Sequence, residues 1–451
     1  MDIVVWMPED DAGLEKELRQ TGLSVEKFHS GNLPKKVAVL NGFLVQADNH
    51  RLGYWDPCLW KWSQVLLPFW KRPFTAAMER GARTIASTRL YDALRRLEAK
   101  WLSLAKWNSE YGPLLDHARP DLILSTNPFN LHEICMCTLA RRNGVPTMGA
   151  IVSWDNLCYK GHLWSEHDAY IVWGPSMEAD LRRHLPALTA EQIITTGSPQ
   201  FDFHKRKDLE WSREEFFQKV GGDPRRPMIV HAANTECHFP DEPAVVAGLW
   251  KSIREGAVRG NPQLLIRLHP LDTTSRFEAA KLQCPDLLIQ RSISSTNNHR
   301  MWFTPDLDDL ALLSNTLRHS DVTVNFASSM TLDAAILDRP VVNVAFSTSP
   351  GERRCRRIPY GHLSAHYRRV AESGAVKIAY SMEELVRWIN RYLADPSHER
   401  EERRALVDSI CGPVDGGSIR RIADALSLRM GVSLPPAGRM TRPADPVERP
   451  A

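Results

Sequence analysis

The stretch RLHPLDTT, Arg267 to Thr274, sets a histidine and a proline directly after the apolar run NPQLLI, and the later stretch VNFASSMTLDAAILDRP sets two serines directly after a second apolar run. An imidazole at a strand end can donate to a phosphate oxygen and stabilise charge on a departing nucleotide. Pro270 lacks a backbone N–H and stops the strand at His269. Ser328 and Ser329 precede a helical run that begins near Met330. Hydroxyls beside free backbone N–H groups at a helix start make an anion site, helped by the positive end of the helix. Asp333 lies four residues beyond Ser329 and projects from the same helix face, where a carboxylate can accept hydrogen bonds from a diol such as a ribose. Each group has a plain alternative: a capping serine with a first-turn acid, or a histidine that closes a turn. Two such ends in one predicted sheet favour phosphate binding.

Further residues follow other predicted strands. HAANTE adds His231, Asn234 and Thr235 to the groups expected to touch phosphates. SWDN, residues 153–156, follows PTMGAIV and is expected to face a cleft with Trp154, Asp155 and Asn156. Asp155 is the candidate base for deprotonating an acceptor hydroxyl, with an Asx turn as the structural alternative. His50, in QADNHRLG, is a second candidate base, its alternative a solvated loop histidine. Arg353, Arg354, Arg356 and Arg357 follow PVVNVAF and read either as a solvated basic loop or as a bidentate phosphate grip. His362 and His366 have helical ligand spacing without a third ligand motif, and no Asp-x-Asp pair stands at a predicted strand end. No metal and no other cofactor is expected.

Elements in register must position these groups. Short β-branched runs alternate with helical periodicity, the pattern of parallel sheets covered by helices. Strands are predicted at DIVVWMP, VAVLNGFLV, DLILST, PTMGAIV, AYIVWG and QIITTG in the first half, and at PMIVHA, QLLIRLH, DVTVNF, PVVNVA and VKIA in the second. The pattern breaks within GSPQFDFHKRKDLEWSREEFFQKVGGDPRRP. The expected organisation is therefore an N-terminal domain over 1–197, a linker over 198–224, a C-terminal domain over 225–430 and a disordered Pro-rich tail over 431–451. The fold class is α/β, with two Rossmann-like open-sheet domains facing a cleft, since open sheets bind ligands at their carboxyl ends.

Composition narrows the function classes. With 451 residues the chain can bury two ordinary cores, and 43% hydrophobic with 25% charged residues is the balance of a globular protein. A net charge of +3 does not imply nucleic acid. The cysteines are scattered, and Cys135 and Cys137 lie in an apolar helix-like run, as in a reducing compartment. The N-terminus turns acidic within MDIVVWMPEDD, and no window approaches eighteen uncharged apolar residues, so the expected location is cytoplasmic.

The succession PMIVHAANTE, LLIRLHP, SDVTVNFASSMTLDAAILDRPVVNVAF and GPVDGGSIRRIADAL resembles the C-terminal donor domain of GT-B glycosyltransferases. Within that group it is most similar to the branch of CDP-glycerol glycerophosphotransferases and capsule or lipopolysaccharide sugar transferases, which share a strand-ending His-Pro and a Ser-Ser before a helix. RPDLILSTNPF, ARRNGVPT and SWDNLCYKG resemble the acceptor domain of such proteins. The resemblance spans roughly residues 120–430. It implies a metal-independent transferase moving a sugar or polyol phosphate from a UDP-, CMP- or CDP-linked donor to a cell-surface glycan or glycolipid precursor. Many members hold the ribose with a Glu where this chain has Asp333. No glycine-rich loop opens the first strand, and DIVVWMPEDDAGLEKELRQTGLSVEKF reads as the second strand and helix of a Rossmann half, so a preceding strand is expected to be missing. Two other readings stand beside the transferase: a UDP-sugar 2-epimerase, for which no acid and base set around a sugar ring is found, and an inactive nucleotide-binding module. Residues 54–74, YWDPCLWKWSQVLLPFWKRPF, interleave Trp55, Trp60, Trp62 and Trp70 with Lys61, Lys71 and Arg72. The segment reads either as a helix packed on the core or as a peripheral contact with the inner face of the plasma membrane.

Overall fold

The computed structural model describes residues 2–8, 12–28, 35–56, 60, 64, 67–104, 107–161, 163, 167–270, 272, 275–292, 305–349, 351–352 and 355–432. The tail from 433 on, Arg353, Arg354, Lys61 and Trp62 lie outside these residues.

The first half carries strands β1 (Val4–Pro8), β2 (Ser24–Phe28), β3 (Ile123–Ser125), β4 (Thr147–Ala150), β5 (Ala169–Val172) and β6 (Ile193–Thr195). β3 to β6 pair in sequence order as one parallel sheet, while β1 and β2 form a separate parallel pair. VAVLNGFLV is not a strand. It lies inside the helix Lys35–Arg51, whose buried positions Val37, Leu44, Ala47 and Asp48 recur at helical spacing. Leu44 and Ala47 pack with Ala82, Ile85, Ala86 and Tyr91 from the helices Arg72–Ile85 and Arg89–Leu104 and the turn between them. A run this apolar satisfies either period, and tertiary packing selects the helix.

The second half carries β7 (Met228–Ala232), β8 (Gln263–Arg267), β9 (Leu288–Gln290), β10 (Val322–Asn325), β11 (Val341–Val344) and β12 (Lys377–Ala379). They form one parallel sheet in the order β12-β11-β10-β7-β8-β9. Every residue of β7, β8, β10 and β11 is buried, because helices cover both faces. The chain builds outward from β7 to β9, then crosses back to start again at β10. β7 and β10 are therefore neighbours at a topological switch point, where open sheets leave a crevice beyond the strand ends.

The segment between the sheets is not a solvated linker. Ser212 opens the helix Arg213–Val220 with a capping box in which Ser212 Oγ accepts from Glu215 N and Ser212 N donates to Glu215 Oε2. That helix buries Phe216 and Phe217 against Met228, Val230 and Leu265. Phe201 enters a single apolar cluster with Trp154, Tyr170 and Trp173 from one half and Leu332, Val341 and Tyr367 from the other. Beyond the helix Arg400–Ile410 the chain turns at Gly412 and returns to the N-terminal sheet. There the helix Ser418–Arg429 sets Ala425 on Met148, Ala169 and Ile171, and Asp202 accepts from Ser418 N and Ile419 N. The last part of the expected 225–430 domain thus packs on the other one.

Gly412 sits at φ +69°, and a Cβ there would fall 1.9 Å from Trp173 O. Gly256 has φ +78° with open space around it. Gly256→Ala carries only the left-handed backbone cost of about 1–2 kcal/mol, whereas Gly412→Ala must also push apart the return crossing and loses distinctly more. Urea unfolding of the two variants side by side checks this, and equal losses would remove the close approach as a constraint.

Candidate functional site

Three strands of the second sheet end at one level. Ala232 lies opposite Arg267 of β8 and Asn325 of β10, so the residues two positions on, Asn234, His269 and Ala327, leave the sheet together. Asn234 Nδ2 donates to Phe326 O at 3.0 Å and ties the two sides of the switch point.

The turn after β10 is held in an uncommon conformation. Ala327 has φ +40°, a left-handed backbone that costs an L-residue about 1–2 kcal/mol and persists only where its surroundings fix it. A buried polar lattice lies beneath it. Asn343 Nδ2 donates to Asn325 Oδ1 at 2.8 Å, Asn325 Nδ2 to Thr331 Oγ1 at 3.1 Å, and Tyr367 Oη to Asn343 Oδ1 at 2.9 Å. Thr331 Oγ1 and Tyr367 Oη are 2.7 Å apart. Burial raises the Tyr367 pKa well above its usual value, so the phenol stays a donor. Ser328 Oγ accepts from Met330 N at 3.3 Å. Ser329 occupies the N-cap position of the helix Met330–Ile336 without a side-chain capping bond, and it is exposed. The capping role is thus taken by Ser328, and the Ser329 hydroxyl faces outward. This helix has seven residues, so its dipole adds less than the local N–H groups do.

His269 sits half-buried at the end of β8, and Asp272 N donates to its carbonyl at 2.8 Å. Burial lowers its pKa below the ordinary histidine value, opposed by Asp272 and Glu242. This shift favours the neutral imidazole.

Two expected donor contacts are placed elsewhere. His231 is 1% exposed and its Nε2 lies 2.8 Å from Glu242 Oε1. Glu242 also accepts from Asn234 N and from Arg276 NH2 at 3.0 Å. His231 thus braces the loop after β7 from below, because the middle of a fully covered strand has no route to the crevice. Thr235, on that loop, has its Oγ1 2.7 Å from His238 Nδ1. Asp333 is 8% exposed, and its Oδ1 is 2.8 Å from His204 Nε2, whose Nδ1 reaches Ser314 Oγ at 3.1 Å. Asp333 and Asp309 also face buried Arg267, whose pKa burial draws down to about 10 against the two carboxylates. The ribose contact expected of Asp333 does not match this inward orientation: the shorter acid anchors the segment between the sheets.

On the facing side, Asp155 Oδ1 accepts from Ser153 Oγ and from Asn156 Nδ2, the local turn weighed as its alternative role. Trp154 is buried in the shared cluster, edge-on to His366 with ring centroids 5.0 Å apart. Asn156 is 6% exposed, so its amide belongs to the turn rather than to an open cleft. Burial pushes the His366 pKa down to about 4, and the Asp155 carboxylate works against it. His366 and Tyr367 thus connect the Asp155 turn to the lattice under Ser328 and Ser329. Next to them Arg368 pairs with Asp56 at 2.8 Å and Arg369 with buried Asp180 at 2.6 Å, and Tyr54 donates to the same Asp180 oxygen at 2.8 Å. His50 is not in a loop: it lies in the last turn of Lys35–Arg51, 3.1 Å from Glu79 and stacked on Trp55.

Sequence reasoning missed Asn325, Asn343, Tyr367 and the role of His366. Asparagines inside VTVN and VVNV were the available signal, since an amide in a covered strand requires buried partners.

Two open parallel α/β sheets with polar groups gathered at their facing rims define the class of this protein. No protein-family model matches the sequence, and no curated protein matches it in sequence. Solved structures are similar to it in fold. CalG4, the calicheamicin glycosyltransferase, is 13% identical with a TM-score of 0.49, covering 96% of this chain and 92% of that one. UDP-GlcNAc 2-epimerase from Neisseria meningitidis bound to UDP-GlcNAc is 14% identical with a TM-score of 0.43, over 74% of this chain and 81% of that one. WaaG, a glycosyltransferase involved in lipopolysaccharide biosynthesis, is 10% identical with a TM-score of 0.39, over 71% and 84%.

Asp333→Asn weakens the bond to His204 and is expected to lower stability by about 1–3 kcal/mol, the cost of disturbing a buried charged partner. Nucleotide affinity should stay within a few-fold of wild type. Denaturant unfolding and calorimetry on the same variant separate the two, and a large affinity loss with unchanged stability would return Asp333 to the ligand.

Proposed function

We propose that this chain transfers a sugar or polyol phosphate from a UDP-, CMP- or CDP-linked donor to a glycan or glycolipid precursor, without a metal ion, working at the inner face of a membrane. The observation that carries the reading is the left-handed turn at Ala327, held by a buried lattice at the switch point, with an uncapping serine facing outward. Donor phosphates sit against the N–H group and the hydroxyl of Ser329, while the Ser328 N–H donates to Asn325 Oδ1 and helps fix the turn. Thr235 and the loop after β7 close one side, and His269 reaches the phosphates from β8. His269 donates a ring N–H hydrogen bond to the leaving phosphate oxygen as negative charge builds there, with no change in its own proton count.

The acceptor enters from the other half, beside Asp155, whose turn the buried Trp154 supports from below. Asp155 receives the acceptor hydroxyl proton, and the bonds from Ser153 and Asn156 orient its carboxylate. No helix among the described residues is long and apolar enough to cross a membrane, so attachment, on this reading, is peripheral.

Calorimetry with UDP, CDP and CMP compounds tests the donor site. A His269→Ala, Ser329→Ala double variant is expected to bind the preferred nucleotide at least tenfold more weakly, and equal affinity would overturn the site. In turnover, His269→Ala alone should remove about 3 kcal/mol of transition-state stabilisation, on the order of a hundredfold in rate, with a smaller change in donor affinity. EDTA should leave transfer unchanged. Loss of activity that magnesium or manganese restores would overturn the metal-independent leaving group, and epimer formation without transfer would overturn the reaction class.

A further inference from the structure

The loops after β7 and β8 leave the second sheet side by side, and one side chain is bonded to both. Arg276, in the helix Ser275–Gln283, donates through Nη1 to Asn234 O at 2.7 Å and to Asp272 Oδ2, and through Nη2 to Phe239 O and to Glu242 Oε2 at 3.0 Å. Its side chain is 8% exposed, and those of Glu242 and Asp272 are 0% and 6% exposed. Asn234 N donates to both oxygens of Glu242 at 3.1 Å, and the Asn234 amide crosses to Phe326 O at the end of β10. Asp272 N donates to His269 O. Arg276 therefore holds Asn234 directly and His269 through Asp272.

The same set carries an electrostatic problem that the guanidinium answers. Burial disfavours the charged form of the His269 imidazole, and Asp272 and Glu242 work against that by favouring it. Asp272 belongs to the turn of His269 itself, and Glu242 opens the helix Glu242–Arg254. His231, beneath them, has its Nε2 2.8 Å from Glu242 Oε1. Arg267, two residues before His269, faces Asp309 and Asp333 instead. Arg276 is the cation paired with both Glu242 and Asp272. Two buried carboxylates beside a rim that is to receive a phosphate repel it unless a cation offsets them. The planar fork of an arginine meets several acceptors at fixed angles, which a lysine cannot do.

We propose that Arg276 is a positioning residue of this rim: by engaging Glu242 and Asp272 together it offsets the two carboxylates that face His269, and so fixes the proton state in which the imidazole meets the donor phosphate. Only the donor phosphate rests on the transferase reading. The offset is measured on the free protein, so a failure to bind nucleotide would leave it standing.

The experiment follows the His269 ring by NMR through a pH titration of the full chain with isotope-labelled histidine, its signal assigned by its loss in His269→Gln. Arg276→Met should move the titration midpoint of His269 to higher pH by about 1 pH unit or more, because two carboxylates then act on the ring without their cation. Asp272→Asn should move it to lower pH. Arg276→Lys, which keeps the charge, should return the midpoint toward that of the wild type. A side chain that only fills space or ties loops does not give opposite signs for the two partners of one ion pair. An unchanged midpoint in Arg276→Met, a shift in the same direction in Asp272→Asn, or a midpoint in Arg276→Lys as high as in Arg276→Met would overturn the proposal. Removing one partner of a buried pair can prevent folding. If Arg276→Met does not fold, a midpoint at or above that of the wild type in Asp272→Asn overturns the proposal by itself.

Discussion

A parallel sheet covered on both faces leaves its carboxyl rim as the place for polar chemistry, and here four side chains beneath that rim set its shape. Asn325 and Asn343 lie on adjacent strands at 0% and 1% exposure, positions where an unsatisfied amide would cost about 1–3 kcal/mol. They satisfy each other and are closed by Thr331 and Tyr367. A lattice in which each member depends on the next has little freedom, and that stiffness holds Ala327 left-handed and directs the following serines. Apolar residues at the same places would fill the core equally well and leave the turn free to relax.

The same lattice couples the two halves. Tyr367 belongs both to the polar set and to the apolar cluster shared with Trp154, Trp173 and Phe201. Its neighbour His366 meets Trp154, and Arg368 and Arg369 reach Asp56 and Asp180. The return of the chain through Gly412 to the N-terminal sheet adds a covalent cross-over. Movement of one sheet against the other must therefore disturb a shared core, two interdomain ion pairs and the bonds of Asp202 to the final helix. The Ala327 turn and the Asp155 turn are positioned by one connected body of contacts.

Much of the second sheet was legible in the sequence. Its strands are β-branched, end in His-Pro, Asn-Phe-Ala-Ser or turn residues, and alternate with helical runs, and all five predicted ones form; only β9, three residues long, was missed. The first half was harder. VAVLNGFLV carries no period that separates helix from strand, and only its packing on Ala82 and Ile85 decides. The segment 198–224 looked like a linker because its charges are frequent, although the Ser-x-x-Glu signature at Ser212 and the pair Phe216–Phe217 marked a capped, buried helix. At the site, position after a strand predicted the rim correctly for His269, Asn234 and Ser329. It misled for His231 and Asp333, since a position three residues short of the rim, still inside the strand, or one turn of helix too far, moves a side chain from the crevice to the interior. Partners such as Glu242 and His204 are distant in sequence and carry no local signal.

The most direct measurement is a crystal structure of the chain with its preferred pyrimidine nucleotide bound. The account predicts phosphate density against the backbone N–H group and the hydroxyl of Ser329, with His269 within hydrogen-bond reach and Ala327 still left-handed. Nucleotide density elsewhere, or an Ala327 turn that relaxes to an ordinary backbone on binding, would contradict it.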